Sequence, residues 1–330
     1  MLSFDNKNIL ITGATGLIGS HLVEFLMKNT TANVYVVGRS MDKLTKIFGD
    51  YPRTRLVCIE QDATLPITVE EPLDFVFHAA GPIDSKTIKE RPMDIIMPNV
   101  WGVNNCLEFA RRQQKAGQQC RVIVFSSVTV YEGTNKERVS ETDIAGGENI
   151  DALSACYSES KRYSEVIAKA MFRQYQVDVV IARFSYVYGI SFFEPDTAFY
   201  QLLRDTCEGK NLVIQGAGLP RRDNIYIEDA ISGLITVALM GKSGEAYNIS
   251  SAGEKGNFAA IDEMAETMVS EYNKLSNTNL TVKYQQEPRE RKRGIVVDNS
   301  KLKTLGWSVT VSLQEGIGKI IKRKKQQQEG

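Results

Sequence analysis

A chain of 330 residues with 42% hydrophobic content is long enough for one large α/β domain, or a large domain with a smaller one. Lys plus Arg and Asp plus Glu both number 40, so the net charge is zero and nothing selects nucleic acid or a membrane surface as partner. Five cysteines without a Cys-x-x-Cys pair and just two histidines, His21 and His78, argue against a disulfide framework, and no metal site is expected.

Residues 9–11 read as a short buried strand that runs through Thr12 into Gly13, Ala14, Thr15 and Gly16. A helical pattern follows, beginning at Leu17 and Ile18. Strand, glycine turn and helix in this order make a dinucleotide-binding start. Gly13 and Gly16 let the backbone approach a pyrophosphate with no Cβ in the way, and Gly19 falls where the helix packs closely on the strand. The helix N-terminus offers unpaired amides and a partial positive charge to phosphates. No signal peptide or apolar span is seen, and the cysteines fall in apolar patterns, so a reducing, cytoplasmic setting is expected.

Further strands are expected at 34–37, 56–60, 75–78, 121–126 and 177–182, and helices at about 18–28, 93–112 and 152–175. This alternation predicts an α/β fold, a Rossmann-type doubly wound parallel sheet over residues 1–187. From 188 the pattern changes to short strands at 212–214, 225–227, 247–249 and 280–284. Residues 188–330 therefore read as a smaller α+β substrate lobe, with 323–330 a disordered basic and polar tail. A cleft between the lobes would hold the second ligand.

Tyr157 and Lys161 are four apart in a helical stretch and share a face. A tyrosine of ordinary pKa near 10 is a poor base, and a nearby ammonium would lower that value. Ser127, just past the fifth strand, would bond the same substrate hydroxyl. The three form a proton relay suited to work beside a nicotinamide. A Tyr-x-x-x-Lys spacing alone also fits an ordinary helix surface; the glycine turn and the Ser126-Ser127 strand end weigh against that. Cofactor choice is read after the second strand, where Gly38-Arg39-Ser40 with Lys43 offers two cations and no carboxylate. That permits a 2′-phosphate and tilts the choice toward NADP, although Arg39 stacked on the adenine would tolerate NAD as well.

These residues carry a resemblance. The chain resembles the extended short-chain dehydrogenase/reductases, the NAD-dependent epimerase/dehydratase group acting on nucleotide sugars. The likeness covers TGATGLIG, Asp62, HAAG, NVWG from Asn99, SSVTVYEG, YSESK, RFSYVYG, RRDNIYIEDA, GEAYNIS and the closing LGW. It implies that Asp62 meets the adenine, with Ala63 beside it, that Ala79, Ala80 and Gly81 line the cofactor, and that Asn99 fixes the active-site loop. It also implies that Ser127, Tyr157 and Lys161 are the catalytic triad, with Lys161 on the nicotinamide ribose. Arg222 would contact the substrate diphosphate, Arg293 is a weaker match to a second phosphate arginine, and Leu212 and Ile214 fall where relatives pin the base. The cluster Arg289, Arg291, Lys292 and Arg293 reads equally as a solvated loop.

Departures narrow the activity. Dehydratases of the group carry an Asp-Glu pair where this chain has Val128 and Thr129, so 4,6-dehydration is not expected. Glucuronate decarboxylases place a glutamate at the Thr129 position, yet CYSESKR is close to their tyrosine segment. Tyr186 stands where the group has asparagine, which points to an unusual glycosyl or alditol group. The reading is a nucleotide-sugar epimerase working through a transient ketone with tightly bound NAD or NADP. Decarboxylation of a nucleotide-linked uronic acid and NADP-dependent reduction of a keto sugar or alditol are the enzyme alternatives. A dinucleotide-sensing binding protein is the non-enzyme alternative. The resemblance implies a homodimer paired through the two long helices.

Overall fold

The computed structural model describes residues 3–143, 145–216, 219–286 and 293–329. Strands β1 (Asn8–Thr12), β2 (Asn33–Gly38), β3 (Leu56–Glu60), β4 (Phe75–His78) and β5 (Arg121–Ser127) join Val179–Phe184 and Ala246–Ile249 in one sheet. Its order is Ala246–Ile249, Val179–Phe184, β5, β4, β1, β2, β3, and every pairing is parallel. The chain reverses direction of winding between β1 and β4, so a crevice opens at their carboxyl ends, where Thr12 faces both Val37 and His78.

Both faces of the sheet are covered, which is why its strands are continuous apolar runs. Ile9, Ile11, Val34, Phe77 and Ile123 point to the side packed by α1 (Leu17–Asn29) and helix Ile227–Met240. Leu10, Val76, Val122 and Val124 point to the side packed by helices Val103–Lys115 and Ala155–Tyr175. Truncating Leu10 to alanine in such a setting costs about 2–5 kcal/mol through lost burial and the cavity left behind.

The helix expected over 93–112 is interrupted. Met93–Met97 leads into a wide π-type turn at Pro98–Gly102 before Val103–Lys115. Pro98 has no N–H for the helical ladder, so the widening falls there. Asn99, buried, is carried on that turn.

The second half of the chain does not separate as drawn from sequence. Ala246–Ile249 pairs with Val179–Phe184 and completes the large sheet, so the boundary at 187/188 cuts through that sheet. Its alternating pattern is ambiguous between lobe and sheet until a partner strand is present. What lies outside the sheet is smaller. Tyr186–Tyr188, Arg222–Tyr226 and Phe258–Ala259 form one three-stranded sheet, and Leu212–Ile214 pairs with Val282–Tyr284. Ile227, expected in a strand, is the first residue of a helix.

The expected disordered tail is a correction too. Helix Leu313–Glu329 runs through residues 323–329. Ile317, Ile320 and Ile321 are fully buried, a stripe at helical spacing that packs on helix Ile261–Ser276. Lys324 pairs with Glu194 and Lys325 donates to Ser276 Oγ at 2.7 Å, so the basic run is tethered on both sides. Among the described residues no helix is long and apolar enough to cross a membrane.

Candidate active site

The glycine turn is built for a close approach. Gly13 has φ +66°, and a Cβ placed there would lie 2.6 Å from the Ala80 amide nitrogen and 2.7 Å from the Ala79 carbonyl. A Cβ at Gly19 would lie 2.5 Å from the Gly13 carbonyl oxygen, so β1, β4 and α1 can meet this tightly only with glycine at both positions. Helix α1 begins after Gly16 with no side-chain cap, so its first amides, at Leu17 and Ile18, have no capping side chain.

Asn99 and Gly81 form the next wall. Asn99 Nδ2 donates to Ser160 Oγ at 2.9 Å, while its buried Oδ1 has no partner among the described residues. A Cβ on Gly81 would fall 2.7 Å from that orphaned oxygen and 3.8 Å from Lys161 Nζ. An unsatisfied acceptor beside a bare glycine and a buried ammonium fits a ligand with hydroxyl groups, as a nicotinamide ribose has. At the far end of the crevice, Asp62 accepts the Thr64 amide at 2.8 Å, which with the field of Arg39 holds its carboxyl below the usual range. The Ala63 carbonyl accepts from Asn105 Nδ2 at 3.4 Å. These residues fit a pyridine dinucleotide.

Tyr157 sits in the first turn of helix Ala155–Tyr175 and Lys161 one turn later, its Nζ 5.8 Å from the tyrosine ring centre. Lys161 is buried and donates to the Phe125 carbonyl at 2.8 Å; burial pulls its pKa down to about 8, with Glu165 one turn on acting the other way. Ser127 Oγ accepts the Thr129 amide at 3.2 Å, capping the short 3₁₀ turn at the strand end, and the serine hydroxyl favours the Tyr157 phenolate. Burial pushes the phenol up to about 12, with the Ser127 hydroxyl acting the other way. The expected lysine-lowered phenol is therefore not the resting arrangement. Desolvation dominates at the phenol, and the Lys161 ammonium is aimed at the Phe125 carbonyl.

Toward the smaller sheet, Tyr186 pairs with Asn224 across strands, and the Arg222 guanidinium lies 4.6 Å above its ring. Thr129 Oγ1 is buried with no partner among the described residues. Arg293 lies two residues before Ile295, which bridges Arg222, and its Nε is 3.9 Å from Glu137 Oε1. Arg289, Arg291 and Lys292 lie outside the described residues. Leu212 and Ile214 are both buried in the core, while Val213 between them faces outward. Alternation along a strand allows the pair only one face, and packing takes it.

Three features went unread in the sequence. His78 is buried between Thr12 Oγ1 (2.9 Å from Nδ1) and the Pro98 carbonyl (3.0 Å from Nε2), which pins the π-type turn carrying Asn99. Glu165 accepts Ser126 Oγ at 2.6 Å and binds Arg183 through both oxygens, at 2.8 and 2.7 Å; Arg183 continues to the Tyr131 hydroxyl. Asp223, next to Arg222, accepts from Ser251 N, Ser251 Oγ and Val297 N at 3.0, 2.5 and 3.0 Å; burial holds its carboxyl up at about 6 despite those bonds. Glu165 at four residues after Lys161 was the one readable signal, since that spacing puts it on the same helix face.

Fold and site together define a dinucleotide-binding α/β protein with a serine, tyrosine and lysine gathered at the mouth of the crevice. The profile of the NAD dependent epimerase/dehydratase family matches residues 9–250, and the chain belongs to that family. UDP-glucuronic acid decarboxylase 3 of Arabidopsis thaliana is 31% identical over 318 residues, 94% of this chain and 87% of that protein. The crystal structure of UDP-glucuronic acid 4-epimerase from Bacillus cereus in complex with NAD superposes with a TM-score of 0.77 at 26% identity, covering 97% of this chain and 99% of the other. The structure of UDP-glucose 4-epimerase from Thermotoga maritima with UDP-glucose has the same fold, with a TM-score of 0.77 at 23% identity over 97% and 99% of the two chains.

Proposed function

We propose that the protein is a nucleotide-sugar epimerase that uses a tightly held nicotinamide dinucleotide and passes through a transient ketone on the sugar. The observation that carries this reading is Tyr157 with the Lys161 ammonium a helical turn away, 5.8 Å from its ring centre and 3.8 Å from where a Cβ on Gly81 would lie, beside a crevice shaped by Gly13, Gly81 and Asn99. A bound nicotinamide supplies the hydride acceptor and donor. The chain supplies the proton handling. Tyr157 takes and returns a hydroxyl proton at its phenol oxygen, Ser127 holds the substrate oxygen, and the Lys161 ammonium favours the phenolate while the proton is away. To Arg222, whose guanidinium lies over Tyr186 and has no ion-pair partner among the described residues, we assign the diphosphate contact.

For the dinucleotide we favour NAD, against the lean drawn from Arg39. The Glu60 carboxylate, at the end of β3 and paired in register with Gly38, accepts the Met41 amide at 2.9 Å. It takes an N–H that a 2′-phosphate would use and adds negative charge there. Lys43 lies over the Phe193 ring at 5.1 Å. Fluorescence titration should show NADH binding more tightly than NADPH, and Glu60→Gln should narrow the difference; tighter NADPH binding by the wild type refutes this.

The decarboxylase reading is favoured by the 31% identity to a UDP-glucuronic acid decarboxylase. Mass analysis of products separates the possibilities. An epimerase leaves mass unchanged and consumes no dinucleotide, a decarboxylase loses carbon dioxide, and a reductase consumes dinucleotide one for one. Tyr157→Phe should keep the melting profile while turnover falls by about 10²–10⁴-fold or more. Near-normal rates in that variant refute the assignment.

A further inference from the structure

Arg221 and Arg222 stand side by side where strand Arg222–Tyr226 begins, and they are used differently. Arg221 Nε lies 3.1 and 2.9 Å from the two Glu263 oxygens, and its Nη2 lies 2.5 Å from one of them, so its N–H fork is taken up by a carboxylate. Arg222 lies over the Tyr186 ring instead, its guanidinium carbon 4.6 Å from the ring centre. A guanidinium above an aromatic face is held by the ring quadrupole, and that contact consumes none of its N–H donors. The donors stay at its edge as a planar fork, the shape that paired phosphate oxygens accept.

Strand register sets this stack beside the reacting groups. Phe184 pairs with Ser127 in the large sheet, and Tyr186 follows two residues later along the same chain. Strand Tyr186–Tyr188 then runs parallel to Arg222–Tyr226 with Tyr186 opposite Asn224, so Tyr186 and Arg222 lie one alternation apart on a shared face. Both backbones are pinned. The Tyr188 ring packs on Tyr226 at 5.5 Å and on Phe199 at 5.7 Å, while Arg222 pairs with Ala259 and its carbonyl accepts Asn224 Nδ2 at 2.9 Å. The Arg222 side chain itself is exposed, and an exposed arginine without a support loses rotamer freedom when it grips an anion. Taking the nucleotide-sugar reading and the diphosphate contact assigned to Arg222 as its basis, we infer that Tyr186 is a positioning residue whose ring holds the Arg222 guanidinium with its N–H edge open to a diphosphate. The aromatic face does this, and the hydroxyl is not needed. Because Tyr186 continues the strand that pairs with Ser127, an anchored diphosphate also sets how far the sugar reaches toward that serine.

The test is calorimetric titration of the purified protein, with the dinucleotide it retains, using UDP, CDP, GDP and dTDP. For the base that binds, Tyr186→Leu should weaken the diphosphate by about three- to thirtyfold, the range from an exposed to a desolvated cation–π contact, and Tyr186→Phe should stay within about twofold of wild type. A cycle with Arg222→Ala reads what a general loosening of the fold would not move: with the guanidinium gone, Tyr186→Leu should cost nothing further. Arg222→Lys probes the stack from its exposed side without disturbing the half-buried ring. Its ammonium keeps the charge but not the planar fork, and binding should weaken as in Tyr186→Leu. Wild-type affinity in Tyr186→Leu or Arg222→Lys overturns the inference. So does an equal loss from Tyr186→Leu with and without Arg222, or a Tyr186→Phe variant as weak as Tyr186→Leu. If Arg222→Ala binds as tightly as the wild type, the assignment of Arg222 falls and takes this inference with it. If none of the nucleoside diphosphates binds the wild type, the nucleotide-sugar reading itself falls.

Discussion

His78 touches nothing that reacts, yet three parts of the crevice hang on it. Thr12 from β1, the Pro98 carbonyl and the Cys106 sulfur (3.5 Å from Nδ1) surround the ring. Burial, helped by the Lys161 charge, lowers its pKa to about 3, so the ring is neutral in the folded chain. Between pH 6.5 and 3 the unfolded chain binds a proton that the folded chain does not, and stability must fall as pH drops through that window. Asp223 acts in the opposite sense: its folded value near 6 makes the native state the better proton acceptor between about pH 4 and 6. Urea unfolding at several pH values should show a shallower acid loss in His78→Gln than in the wild type; parallel curves would contradict this account. Arg183→Met leaves Glu165 buried without its partner and should cost about 3–5 kcal/mol in the same assay.

Helices and strands here are held to functional geometry by a few unusual positions. Gly13 serves a positive φ and a contact with Ala79 and Ala80 at once. Gly13→Ala must either strain the turn or push β4 away, so both melting temperature and NADH affinity should drop together. A variant that lost neither would show that the turn is not as tight as described. The Pro98–Gly102 turn is a second such element. A Cβ on Gly102 would lie 2.5 Å from His78 Cε1, so the widened helix and the buried imidazole fit only as a pair.

Across the molecule, apolar side chains remain exposed on the two long helical segments: Met93 at 55%, Trp101 at 49%, Tyr163 at 55% and Val166 at 57%. Proposed pairing of two copies through these faces would cover them, as unpartnered apolar patches commonly signal. Light scattering of the wild type should report a dimer, and Trp101→Lys with Val166→Lys a monomer; a wild-type monomer at micromolar concentration defeats the proposal. At the other end, Gly316 lets helix Leu313–Glu329 press on the Tyr188 and Tyr226 rings, and the helix links Glu194 to helix Ile261–Ser276. Ile320→Asp buries a charge under that helix and should lower the melting temperature sharply.

Local pattern carried much of this. The strand–glycine–helix start, the parallel alternation through Val179–Phe184 and the one-face spacing of Tyr157 and Lys161 follow from short-range geometry, because period and turn chemistry are properties of neighbouring residues. Matters that depend on distant partners were not readable. Ala246–Ile249 joined the large sheet because a free edge awaited it on Val179–Phe184. Leu212 and Ile214 turned into the core because one face was already filled. The basic tail stayed helical because a buried isoleucine stripe had a helix to lie on. The Tyr157 proton is likewise governed by desolvation and by where Lys161 points, and both are set by packing around the helix rather than by the four-residue spacing that first drew attention to it.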